Sequence, residues 1–192
     1  MEILKNTKCA EFPLKVAIDE KVKNDFSFNF KDSVYFANCL IKAKLHAINI
    51  KLNGPAGCLD DLFKFDINGG RLPKFVPVSF IYDSPQFTVI SIANYYSSYL
   101  NYSIVCSFTK DGKYIDGFLA YFSSGHDGLN QSRHTTINKN LTILIKEESD
   151  YPTSASDYSI LETNWKFLKD GKLKKITEKI KYGEDFDFHR DN

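Results

Sequence analysis

The sequence predicts an α+β fold: a mainly antiparallel sheet, a meander with Asp-Gly hairpins, carrying one or two helices, the N-terminal one packed on it. Three observations predict it. Apolar runs of strand length crowd residues 75–168 with no helical spacing between them. Asp111-Gly112 and Asp170-Gly171 each sit between alternating segments, a strong short-range hairpin signal. Val34, Ala37, Ile41 and Leu45 recur at helical spacing behind Asp32-Ser33, which suits an N-cap.

The elements follow in order. Phe26, Phe28 and Phe30 alternate with Ser27 and Asn29, as in a short strand. The helix is expected over 33–45, with Lys42 and Lys44 placed to favour its C-terminal turn. Ile48–Leu52 alternates, and Asn53-Gly54-Pro55 ends it. Residues 53–74, rich in Gly and Pro, read as a long connection with one short element from Leu59 to Phe65. They separate a mixed portion, 1–74, from a sheet portion, 75–180, within one domain, and 182–192 is a charged tail.

Phe75–Tyr82 and Phe87–Asn94 are strands around Asp83-Ser84-Pro85. Tyr99–Thr109 reads as a half-buried strand, with Leu100, Tyr102, Ile104, Cys106 and Phe108 on the apolar side. The first Asp-Gly turn leads into Tyr114–Phe122, and residues 123–133 read as a polar loop. Leu141–Ile145 is a strand, Tyr151–Asp157 a loop, and Leu161, Thr163, Trp165 and Phe167 line one side of the next strand. After the second Asp-Gly turn, residues 173–181 fit helix and strand alike.

Composition narrows the function classes. Net charge is +1, so no global field draws nucleic acid or an anionic membrane. Every basic residue except Arg71, Arg133 and Arg190 is Lys, and with Asn, Ile, Phe and Tyr this matches an AT-rich, bacterial gene. The Lys-rich segment 166–181 reads as a solvated edge that resists aggregation rather than as a nucleic-acid site, because Arg is missing from it. No apolar run approaches the roughly 18 residues of a membrane span, and no leader pattern opens the chain. If native from Met1, the chain is expected in the cytoplasm.

No phosphate-cradling, dinucleotide, zinc-protease or serine-hydrolase motif occurs. His126, Asp127 and His134 are the candidates for a metal, since imidazole and carboxylate suit zinc or iron. Their spacing matches no known ligand pattern, so a turn-forming loop is preferred. Distant residues such as His46 or Glu147 could complete such a site in space. Cys58 precedes Asp60-Asp61, and neighbouring carboxylates raise a thiol pKa, which opposes its use as a nucleophile.

The residues therefore favour a non-enzymatic protein-binding domain without a cofactor, of the kind of a bacterial immunity or accessory protein. Tyr95, Tyr96, Tyr99, His126 and Asp127 are its partner-binding candidates, and an exposed face of the sheet or the loops around 83–86, 123–134 and 150–157 are the expected docking surfaces. The alternatives are a ligand-binding or hydrolytic enzyme using the loop at 123–134, and a structural subunit of a homo-oligomer. Neither nucleic acid nor membrane is expected as a partner.

Cys9, Cys39, Cys58 and Cys106 form no paired motif and read as free core thiols. Intact-mass measurement of the native protein should find all four reduced; a mass lower by two protons per pair would show disulfides instead.

Overall fold

The structure is a computed structural model that describes residues 9–16, 75–97, 100–126, 129–150 and 159–182. These residues form one antiparallel sheet of nine strands: β1 Leu14–Val16, β2 Phe75–Asp83, β3 Phe87–Ser97, β4 Leu100–Thr109, β5 Tyr114–His126, β6 Leu129–Ile137, β7 Thr142–Asp150, β8 Ser159–Phe167 and β9 Leu173–Tyr182. Strands β2 to β9 pair in chain order, and β1 joins the far half of β6.

The antiparallel meander is as expected, but the α+β class is not. The described residues are all β, without a helix, which overturns an α+β fold with a packed N-terminal helix. The segment 33–45 lies outside the described residues, as do the expected elements at Phe26–Phe30, Ile48–Leu52 and Leu59–Phe65. The ambiguous segment 173–181 is strand β9, because the Asp170-Gly171 turn returns it in register along β8, Leu173 opposite Phe167. The loop expected at 123–133 is mostly strand. There β5 runs to His126 and β6 begins at Leu129, and the backbone pairs Ser123 with Ser132 and Ser124 with Gln131. Ladder hydrogen bonds need no apolar side chain, so polarity alone concealed these strands.

Alternation puts Val89, Val105 and Phe118 on one face of β3–β5, and Ile137, Ile143, Ile145 and Phe167 on one face of β6–β8. These two faces pack against each other in a single core, where the rings of Phe118 and Phe167 lie 6.3 Å apart. The opposite face of β3–β4 is also buried: Ile90, Ile92, Ile104 and Cys106 are fully excluded from solvent. The half-buried reading of β4 is therefore corrected, since Ser103, Val105 and Ser107 on its more polar side are buried as well. Cys9, in contrast, is an exposed free thiol rather than a core one, whereas Cys106 is buried.

Three hairpins share one geometry. The amides of Thr109, Asn138 and Leu168 donate to the carbonyls of Lys113, Thr142 and Lys172. Within the same turns, those of Gly112, Leu141 and Gly171 donate back to Thr109, Asn138 and Leu168. This is a short turn closed by a left-handed residue. Gly112 and Gly171 supply that conformation at φ +85° and +81°, as the Asp-Gly pairs require. Leu141 adopts it at φ +63° despite its side chain. Strain there costs about 1–2 kcal/mol. Burial of the leucine returns a comparable or larger amount, about 1.5–3 kcal/mol. Its carbonyl also accepts from the Phe167 amide at 3.2 Å.

Gly171 is where the two halves meet. A Cβ there would lie 2.9 Å from Ile115 Cδ1 and 3.1 Å from Phe87 Cγ. Gly171→Ala should lower stability by roughly 2–4 kcal/mol, combining left-handed strain with overpacking. A urea midpoint unchanged by the substitution would contradict this seating of the turn.

Candidate functional site

Alternation sorts the second half of the sheet into two faces. The inward row comprises Arg133, Thr135 and Ile137 on β6, Ile143, Ile145 and Glu147 on β7, and Leu161, Thr163, Trp165 and Phe167 on β8. Trp165 and Phe167 thus take the apolar side, as their alternation implies, with Lys166 opposite.

One polar pair interrupts the inward row. Arg133 stands directly across from Glu147 in the ladder, and both are buried. Arg133 Nη2 donates to Glu147 Oε1, while Nη1 donates to the Leu119 carbonyl at 2.8 Å. The guanidinium lies 5.8 Å from the centroid of the Phe122 ring. Burial pushes the Glu147 carboxyl above its ordinary 4.5, and Arg133 only partly opposes this; the charge of Glu178 adds to the rise. Burial likewise lowers Arg133, against the pull of Glu147. An arginine stays charged across any ordinary pH, so Arg133 is a buried cation whose partner is Glu147. It pins β6 to β7 and, through Leu119, to β5.

The outward face is exposed over most of its extent, unlike either face of β3–β4. It presents His134, Thr136, Thr142, Leu144, Lys146 and Glu148 from β6 and β7, Glu162, Asn164 and Lys166 from β8, and Lys174, Thr177, Lys179 and Lys181 from β9. Lys15 of β1 joins them opposite Thr136. Ile160, near the end of its ladder, is the buried exception. Leu144 is an exposed apolar residue near the middle. Lys146 is engaged by Glu148 at 2.7 Å, but Lys15, Lys166, Lys174, Lys179 and Lys181 make no ion pair among the described residues. Lys166 even stands directly across from Lys174. Like charges in that position repel by a few tenths of a kcal/mol, about 0.2–1. The face is an array of cations with few internal anions.

The residues singled out in the sequence are dispersed. His134 is exposed on the outward face, opposite Lys146, with its ring 5.7 Å from that of Tyr121. The backbone of His126 pairs with Leu129, five residues before His134 on β6, which is about 17 Å of strand. Asp127 and Tyr99 lie outside the described residues. Tyr95 pairs with Asn101, and Tyr96 falls at a register shift of the same ladder. Residues 83–86 form the β2–β3 turn, where the Phe87 amide donates to Ser84 Oγ at 3.1 Å. Glu147, proposed as a distant contributor, instead meets Arg133. Among the described residues no three His, Cys, Asp or Glu side chains gather as a metal ion requires.

Two features escaped the sequence. The polar composition of 123–133 places Arg133 in a loop, which hides its partner. Counting four residues out from Ile137 and Ile143 on the two sides of the Asn138–Leu141 turn would have paired it with Glu147. The lysines of 166–181 by themselves suggest edge protection, and only the neighbouring strands extend them into a face.

No family model, no curated protein and no solved structure matches the chain.

Removing one partner of the buried pair leaves the other charge uncompensated. Glu147→Gln should therefore cost about 3–5 kcal/mol in urea unfolding. Arg133→Met combined with Glu147→Leu should recover most of that loss. A Glu147→Gln variant as stable as the parent would show that the pair contributes nothing.

The raised Glu147 pKa has a definite sign. Between the unfolded and folded values the folded state holds the extra proton, so this group favours folding at low pH. Its contribution is lost as pH rises through the folded value. The Glu147 carboxyl resonance should titrate with a midpoint above 4.5; a midpoint at or below it would contradict the dominance of burial.

Proposed function

We propose that the chain is a non-enzymatic protein-binding domain and that the outward face of β6–β9 is its docking surface for an acidic partner. The observation that carries this reading is the solvent-facing lysine array around exposed Leu144, set on strands whose inward row, from β6 to β8, serves the core. Charge complementarity of this kind steers encounter and rejects partners of the wrong sign. Ordering lysines that repel one another across a ladder is unfavourable in isolation, and an anionic surface removes that penalty.

A protein fits better than a nucleic acid. The face carries no Arg to fork around phosphate, since Arg133 is buried against Glu147. The exposed apolar residues are aliphatic, Leu144 here and Ile176 and Ile180 on β9, so base stacking would fall to His134, whose ring is already engaged edge-on by Tyr121.

The test compares the parent with a Lys166→Glu, Lys179→Glu, Lys181→Glu variant, each immobilised and exposed to nuclease-treated lysate of the source organism. These side chains are exposed, and relief of the Lys166–Lys174 repulsion offsets the new repulsion that Lys179→Glu sets against Glu162, so the thermal midpoint should be almost unchanged. A protein retained by the parent at low salt should be lost by the variant. Retention of the same proteins by both would refute the lysine face as the docking surface.

A further inference from the structure

We infer that the acidic partner is taken up as an added strand, an extended segment pairing antiparallel or parallel with the open edge of β9. This rests on the protein-binding reading above and names the mode of recognition. Among the described residues β9 ends the strand order and bonds only to β8, so its outer edge presents ladder donors and acceptors with no strand beside them. Its register is broken near Ile176, but from Thr177 to Tyr182 it pairs with Asn164 back to Ser159 without a shift. That leaves a regular edge of about 20 Å, the length of an ordinary strand.

Side chains along this stretch specify what fits. Lys179 and Lys181 point to the outward face, opposite Glu162 and Ile160, and Ile180 points the other way, opposite Leu161. Ile180 is 48% exposed, an apolar side chain that an added strand would cover. Residues directly opposite in a new ladder would lie about 5 Å away. An occupant alternating acidic and apolar residues would set its carboxylates beside Lys179 and Lys181 and an apolar side chain beside Ile180. Strand addition draws affinity from the backbone and specificity from these alternate positions.

The same charges reject a second copy of this chain, since pairing β9 with β9 brings lysines against lysines. The opposite end of the sheet is a poorer platform. Strand β2 contains Pro77, has two register shifts, and its edge is already bridged by Cys9 at Phe80.

The probe is a fluorescein-labelled peptide of about ten residues alternating Glu and Val, long enough to span the edge, with anisotropy read against the intact protein at low salt. Two further peptides carry N-methyl groups on every odd or every even backbone nitrogen. In a ladder only alternate amides face the neighbouring strand. One methylated peptide should therefore lose affinity by about tenfold or more, and the other should stay within about twofold. A Lys179→Glu, Lys181→Glu variant should lose the Glu-Val peptide and gain a Lys-Val one, a reversal that a misfolded variant could not produce. Equal effects of the two methylation patterns would overturn strand addition while leaving an acidic partner on the face. Tighter binding of a single-stranded oligonucleotide than of the peptide would overturn the protein-binding reading itself. Self-association of the parent blocked by the peptide would assign the edge to a second copy and overturn the acidic partner.

Discussion

The β8–β9 turn resting on β3, β4 and β5 is the contact on which the architecture depends. A meander of neighbouring strands has no intrinsic reason to bury either end against the other. Here Ser107 Oγ donates to the Gly171 carbonyl at 2.6 Å, and the Leu173 amide donates to Asp116 Oδ2 at 2.8 Å. Asp116 Oδ1 also accepts from the Gly117 amide at 2.9 Å, so both oxygens of this buried carboxylate are used. Gly171 lets the turn approach Phe87 and Ile115 closely enough for these bonds to form. Each neutral bond is worth about 1 kcal/mol and those to the carboxylate about 1.5–3. The larger gain is the apolar burial that the bonds position. Gly117 plays a similar part inside the first half, where a Cβ would lie 2.8 Å from the Val105 carbonyl.

Once the halves are seated, alternation decides everything else about the surface. Each strand of β6–β8 must give one face to Phe118 and its neighbours, and a strand has only two faces. The remaining face is exposed, and there the chain places lysines. The Arg133–Glu147 pair marks a limit of the apolar row. Beyond Ile137 and Ile143 the ladder reaches Thr135 and Ile145, then turns ionic. Such a pair is a poor source of stability in itself. It is well suited to fixing register, because a slip of one residue would move Arg133 to the outward face and leave Glu147 buried alone.

Much of this was legible in the sequence, for local reasons. Asp-Gly dictates a turn through the backbone of a single residue, so Gly112 and Gly171 could be read directly. The runs at Phe87–Asn94 and Tyr114–Phe122 announce strands because β-branched and aromatic residues suit a pleated, buried surface. Leu141 was not legible as a turn residue, since its left-handed conformation is held by burial and by the bond to Phe167, both long-range. Ser103 and Ser107 looked like a solvent face because composition records polarity, not what packs above it. Residues 123–133 looked like a loop for the same reason. The lysine face was half visible: segment 166–181 showed its charge, but membership of one face requires the register of five strands, which no local window contains. The α+β class failed as a whole-chain inference drawn from one helical spacing, against a described structure that is entirely sheet.

Native-state amide hydrogen exchange distinguishes a fold that encloses β3 and β4 and leaves the β9 edge and outward face open from one that covers them. Amides of Val89–Ala93 and Ile104–Phe108 should exchange only at the rate set by global unfolding. Alternate amides between Thr177 and Tyr182, those not donated to β8, should exchange orders of magnitude faster. Uniform protection along β9, equal to that of β4, would mean that its edge is already covered, and both the open surface and the function built on it would fall.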